Sequence, residues 1–259
     1  MNEKLKHFCY SQNSINTYKS CPLKFKYKYI ENINWKHDDI ESREYYEGLK
    51  IGREFHLLCE RYFSNIPLGI NDSDKSDFIL WINKIKKLIP MDEENIYLPE
   101  YEVRYNLFGN ELQAKYDLVV IKKNEIEIWD WKTENRKINY KNVENRMQTI
   151  VYMFLAKDII PKLFDINIDT SNIIMKYYQP LFDDGPITIS YSDQKHNSNK
   201  NKLNEYINRI KHTKYENEQK DYRYELIHNK EHCKFCEFNK LCNGDDIDYN
   251  ILEEEIYEC

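Results

Sequence analysis

Asp117, Asp130 and Lys132 are the residues whose types and spacing most directly suggest chemistry. The stretch EIEIWDWKTENRK, residues 125–137, reads as a buried strand that finishes on an acid and a lysine. Side chains alternate faces along a strand, so Ile126, Ile128, Asp130 and Lys132 share one face while Glu127, Trp129 and Trp131 take the other. The preceding segment, LQAKYDLVVIKKN, completes a hairpin if the chain turns at Lys123–Asn124. In that register Ile121 opposes Ile126, Val119 opposes Ile128 and Asp117 opposes Asp130. Directly opposed side chains have Cβ atoms about 4.5–5.5 Å apart, and two carboxylates at that distance repel unless a cation separates them. Hard carboxylate oxygens suit Mg²⁺ or Mn²⁺, and Lys132 is then placed to steady a water or a phosphate. A plain ion pair at a fraying strand end fits the same residues.

The elements that must position this hairpin are legible in outline. Ser11 is an N-cap candidate for a helix that follows it. Pro22 marks a helix stop or the first turn of another helix. Lys24, Lys26 and Lys28 alternate with Phe25, Tyr27 and Tyr29, a pattern that fits a strand or a helix with Phe25 and Tyr29 inward. Residues 44–63 read as a helix carrying His56, and an amphipathic helix follows over DFILWINKIKKLI with Asp74 or Ser76 as its cap. A β region spans about residues 97–133, and NVENRMQTIVYMFLAKDI is helical again, with Gln148 and Tyr152 on one face. Two strands, NIIMKYYQ and ITISY, flank the turn FDDGP, and a polar helix covers roughly residues 194–215. Strands flanked by helices on both sides predict an α/β layer architecture with a central sheet.

The chain has 259 residues and a net charge of −6. The last fifteen, DDIDYNILEEEIYEC, hold seven acids and no Lys or Arg, so the rest of the chain is close to neutral, about +1. Residues 1–37 hold seven lysines against Glu3 and Glu31, a basic start set against an acidic tail at 245–259. No apolar run reaches membrane-spanning length and no leader pattern opens the sequence, so a soluble cytoplasmic protein with no membrane partner is expected. Seven cysteines in such a chain are not expected to form disulfides, and three of them cluster in HCKFCEFNKLC as Cys233, Cys236 and Cys242.

Taken in order, these pieces resemble the RecB-like branch of the PD-(D/E)XK nucleases, specifically its iron–sulfur members, such as the AddB nuclease domain and the CRISPR-associated RecB-like exonucleases. SQNSINTYKSCPLKFKY is similar to the family's opening S-x(6)-Y-x(2)-C-P-x(2)-F. GREFH, YDLVV, DWKT, QTIVY and a closing C-x(2)-C-x(5)-C follow at plausible separations, from Ser11 to Cys242. The resemblance implies a restriction-endonuclease-like core whose central mixed sheet is flanked by helices, with N- and C-terminal segments joined by a metal cluster. One domain would span 1–244, with 1–43 and 216–244 as its cluster-binding part. His56, Asp117, Asp130 and the Trp131 carbonyl would hold the metal. Lys132 would be the catalytic lysine, and Gln148 and Tyr152 would support the site or touch the DNA backbone. Cys21 would join Cys233, Cys236 and Cys242 around a 4Fe–4S cluster. Four thiolates also suit zinc. Cys9 is the one rival to Cys21, and Cys59 reads as core. The implied activity is metal-dependent hydrolysis of DNA, as an exonuclease on single-stranded ends in repair, phage replication or CRISPR processing, beside a helicase or integrase partner. A non-catalytic DNA-end binding or assembly module is the rival reading.

Overall fold

The computed structural model describes residues 3–33, 40–70, 76–215, 233 and 236–244. The acidic tail 245–259 lies outside them, as do Asp74 and residues 216–232 of the expected cluster-binding part.

A six-stranded mixed sheet organises the chain, with spatial order β1-β3-β4-β5-β6 and β2 paired to the other edge of β3. The strands are β1 (Cys9–Tyr10), β2 (Ile96–Leu107), β3 (Asn110–Ile121), β4 (Ile126–Trp131), β5 (Ile173–Tyr178) and β6 (Ile187–Ser190). β4 and β5 run parallel, so the chain between them must cross a face of the sheet. It does so through α5 (Tyr140–Glu144) and α6 (Met147–Leu163).

The hairpin register read from the sequence is the one that forms. Ile121 pairs with Ile126 and Val119 with Ile128, and the turn closes through Lys122 N–H donating to the Glu125 carbonyl at 2.9 Å. The faces separate accordingly. Val119, Ile121, Ile126 and Ile128 join the core under α6, α7 (Asp193–His212) and α1 (Gln12–Ser20). Leu118, Val120, Trp129 and Trp131 join a second core under α3 (Ile40–Phe63) and α4 (Ser76–Leu88). The result is helices on both faces of the sheet, and α6 is buried along most of its length because sheet and helices enclose it.

Local chemistry accounts for most boundaries. Ser11 caps α1 as expected, its hydroxyl accepting from the Ser14 N–H at 3.2 Å. The alternating Lys–aromatic stretch resolves as helix: α2 (Pro22–Phe25) starts with Pro at its first position and continues as a π-helical turn over Lys26–Ile30. Phe25 turns inward, as the helical alternative required, and Tyr27 is buried as well. The helix expected over 142–159 is interrupted at Asn145–Arg146, which separates α5 from α6.

β2 and β3 form a long ribbon with a two-residue turn. Phe108 and Gly109 both take left-handed backbone, at φ 51° and 79°, which suits the twist of the strands they join. Pro99 is tolerated because β2 is an edge strand. Midway along, Glu100 is also left-handed at φ 50°, and the ladder skips it: pairing stops at Pro99–Leu118 and resumes at Tyr101–Tyr116. The alternation of faces shifts there. On β3, Leu112, Ala114 and Tyr116 face the α6 core on one side of the break, whereas Val119 and Ile121 do so on the other.

On the α4 side, Glu127 has a side chain only 4% exposed. Its carboxylate accepts from Lys122, from Lys176 Nζ at 2.7 Å and from the Trp129 indole N–H at 2.8 Å. Burial alone would raise its pKa, but the two ammonium groups and the indole outweigh it, and the pKa is lowered. Glu127→Ala would take the acceptor from Lys176 and the Trp129 indole, while Lys122 keeps Glu125, and should cost about 1–3 kcal/mol, seen as a lower urea midpoint. Because the folded pKa lies below the unfolded one, the contribution of Glu127 is complete above the ordinary carboxylate range and is lost as pH falls through the folded value. The mutant's deficit, followed by urea titration, should therefore shrink in acid.

Candidate active site

At the C-terminal end of β4 the apolar face stops. Asp130 follows Ile128 on that face and is 1% exposed. Burial raises the pKa of its carboxyl to about 6, with Lys132 pulling it down and Asp117 pushing it up. Gln148, from the first turn of α6, donates its amide N–H to Asp130 Oδ1 at 2.5 Å. The same side chain accepts from Lys132 Nζ at 3.2 Å. Lys132 Nζ also stands 2.8 Å from Asp130 Oδ2. This charged contact engages Oδ2, which is buried.

Asp117 sits where the β2–β3 ladder is broken. One of its oxygens accepts the Trp131 backbone N–H at 2.7 Å, which ties β3 to β4 at the point where their pairing ends. Its other oxygen lies 3.3 Å from His56 Nδ1. The far side of the imidazole faces the Trp131 carbonyl, 3.2 Å from Nε2. Burial disfavours a charge on His56, but Asp117 more than offsets this and holds the imidazole at about 9. α3 can bring His56 this close because Gly52, one turn earlier, leaves room: a Cβ there would lie 3.1 Å from the Thr133 hydroxyl.

His56, Asp117, Asp130, Trp131 and Lys132, read from the sequence as site residues, therefore stand at one end of one hairpin, with Gln148 joining them. Tyr152 has a more buried place. Its hydroxyl donates to the Lys115 carbonyl at 2.6 Å, steadying β3 two residues from Asp117, and burial raises its pKa.

One acid escaped the sequence reading. Glu100 Oε1 lies 3.9 Å from His56 Nδ1, and Lys115 holds its other oxygen at 2.6 Å. Among the described residues, His56, Glu100 and Asp117 form the group whose ligand atoms lie within 4.8 Å of one another, so the tightest set has Glu100 where Asp130 was expected. The turn residues of NLFGNEL would have revealed it: a hairpin closing at Phe108–Gly109 sets Glu100 opposite Asp117. The donor set, one imidazole and the Glu100 and Asp117 carboxylates with the buried Asp130 carboxylate beside them, fits a hard divalent cation.

The cysteines occupy a different region. Cys21, Cys236 and Cys242 pack on a small apolar cluster of Leu23, Tyr27 and Phe238. The Cys21 sulfur also caps α2 by accepting the Lys24 N–H at 3.4 Å. Burial raises the pKa of both Cys21 and Cys236, with Cys233 adding to the effect on Cys21 and Cys21 to that on Cys236. Tetrahedral zinc with Zn–S of about 2.3 Å would set sulfurs about 3.8 Å apart. No three cysteine sulfurs among the described residues lie within 4.8 Å of one another. Cys9 instead donates to Gln113 at 3.1 Å, and Cys59 is buried in the α3 core as expected. Cys259 lies outside the described residues.

Comparison with known proteins identifies the family. The chain belongs to the PD-(D/E)XK nuclease superfamily, whose model matches residues 10–94 and 84–243. In fold it is similar to a candidate exonuclease from Eubacterium rectale, at 12% identity and a TM-score of 0.50, over 80% of this chain and 81% of that one. A second solved structure, SSO0001, aligns at 13% identity with a TM-score of 0.43, over 94% of this chain and 88% of that one. No curated protein matches. No helix among the described residues is long and apolar enough to cross a membrane.

If Glu100 shares a cation with His56 and Asp117, Glu100→Gln and Asp117→Asn should each weaken Mn²⁺ binding by about tenfold or more, measured by titration calorimetry. Equal affinity in wild type and Glu100→Gln would remove Glu100 from the ligand set.

Proposed function

We propose that this member of the PD-(D/E)XK nuclease superfamily is a metal-dependent deoxyribonuclease acting as an exonuclease on single-stranded DNA ends. The observation that carries the reading is the convergence of a buried Asp130–Lys132 pair with His56, Glu100 and Asp117, whose ligand atoms lie within 4.8 Å of one another. Carboxylates crowded around one imidazole repel one another unless a cation lies between them.

In this reading His56, Asp117, Asp130 and the Trp131 carbonyl hold Mg²⁺ or Mn²⁺, and Glu100 joins them. When bound, such a cation lowers the pKa of a coordinated water and polarises the phosphate. Lys132 presents its ammonium where negative charge grows on the phosphate during attack. Gln148 grips Asp130 and Lys132 together, so neither swings away when the other is engaged. Tyr152 keeps β3, and with it Asp117, at its height above α6. DNA rather than another phosphodiester follows from the family. The preference for single strands rests on the resemblance of the motifs alone, and action at ends accords with the exonuclease description of the Eubacterium rectale relative in fold.

Cys21, Cys233, Cys236 and Cys242 are further proposed to ligate a 4Fe–4S cluster that ties the two ends of the domain together. Their support is the motif spacing and the common apolar cluster on which three of them pack. Anaerobically purified protein should then contain iron and acid-labile sulfide and absorb in the visible, and Cys21→Ser should lose both. Zinc without iron would select the other metal.

For the activity itself, end-labelled single-stranded DNA should be degraded with Mn²⁺, and Lys132→Ala should slow this by about 100-fold or more. Equal cleavage by both proteins would refute the assignment. No cleavage by folded, metal-loaded wild type would favour a DNA-end binding module in a helicase or integration complex.

A further inference from the structure

A cavity of about 350 Å³ opens beside the His56–Glu100–Asp117 group, lined by Gly52, Arg53, His56, Leu57, Glu60 and Glu100. It shares His56 and Glu100 with that group, so an occupant would lie against two of its three members. Its volume lies at the small end of the range for ligand pockets, about 300–1,000 Å³. Five of its six lining residues come from two turns of α3.

Their order along the helix has chemical content. Arg53 lies one turn before His56 on the same face, about 4.5 Å along the axis. It is exposed, and among the described residues it makes no ion pair or hydrogen bond. An unengaged guanidinium beside a group of three anionic or imidazole ligands is suited to a phosphate, which it can grip with two parallel N–H donors. Leu57, 50% exposed, offers the cavity an apolar surface at its middle. Glu60, one turn beyond His56, makes the far end acidic and so hostile to a second phosphate. A cation for one phosphate, a hydrocarbon patch and an acid that excludes another phosphate describe a seat for one nucleotide.

Resting on the nuclease reading above, we propose that this cavity seats the single nucleotide adjoining the cleaved bond, with Arg53 holding its phosphate and Leu57 packing against its sugar or base. Arg53 is thereby a substrate-positioning residue, and Glu60 limits the seat to one nucleotide.

Two measurements test this independently of one another. In the first, deoxyadenosine 5′- and 3′-monophosphates and unphosphorylated deoxyadenosine are titrated into the full chain with Mn²⁺, with no turnover involved. At least one monophosphate should bind wild type, and Arg53→Ala should weaken it about tenfold or more while leaving the weak binding of deoxyadenosine unchanged. Arg53→Lys should recover part of the loss. Lys50→Ala, which removes an exposed lysine of α3 paired with Glu54, should bind as wild type does. In the second, steady-state cleavage of end-labelled single-stranded DNA should show KM raised about tenfold in Arg53→Ala with kcat within about twofold, the pattern of lost uniform binding. Binding of both monophosphates alike by wild type and Arg53→Ala, or binding of neither by wild type, overturns the seat. If wild type cleaves DNA and Arg53→Ala is unaffected in both assays, the seat falls and the nuclease stands. If wild type cleaves nothing but the Arg53-dependent titration holds, the seat stands as a nucleotide site and the nuclease reading falls.

Discussion

A carboxylate placed at the end of an apolar strand face must be compensated or it will take up a proton, and Asp130 is such a carboxylate. Its partners come from three directions. Lys132 follows it on β4, Gln148 reaches it from α6, and His56 on α3 adds a favourable charge against the opposing Asp117 carboxylate. An ionised group removed from water loses several kcal/mol of solvation, and attraction to fixed partners recovers this only when geometry is good. Each helix against the end of β4 therefore serves one buried charge as well as the core. Burial still wins in part, since the carboxyl is pushed up to about 6. The neighbouring Asp117 carboxylate adds to that push, a conflict that a bound cation would relieve.

The same demand explains the irregularity of the β2–β3 ribbon. A regular ribbon would keep one alternation of faces from end to end. Left-handed backbone at Glu100 breaks the ladder opposite Asp117 and shifts the alternation, so the ribbon faces α6 with one set of side chains beyond the break and with the other set before it. A non-glycine residue in this conformation is uncommon and costs of order 1 kcal/mol or more. What it provides is two carboxylates released from the ladder and within reach of His56.

Much of this could be read from the residues. The β3–β4 register followed from apolar residues opposing apolar ones across a two-residue turn, and it carried Asp117, Asp130 and Lys132 to one place. His56, Gln148 and Tyr152 were individually ambiguous and gained meaning from their order along the chain. A turn at Phe108–Gly109 would have set Glu100 opposite Asp117, but the left-handed backbone that frees it from the ladder is not announced by side-chain type. The stretch from Lys24 to Tyr29 satisfied two periodicities at once, and packing of Phe25 and Tyr27 on different neighbours settled it as helix. The break between α5 and α6 has no glycine or proline to mark it. Arg53 attracted no notice because an arginine on a helix surface is ordinary until a cavity is seen beside it.

β4 carries an acid on each of its faces. Asp130 meets Lys132 and Gln148 on one side, and Glu127 meets Lys122, Lys176 and the Trp129 indole on the other. A slip of one residue against its neighbours would turn both carboxylates towards hydrocarbon and both sets of partners towards nothing. Mispairing at the centre of the sheet is thus penalised twice, by charge as well as by lost packing. The strand proofreads its own alignment, because a near-native sheet with an intact core would still leave Asp130 and Glu127 without their partners.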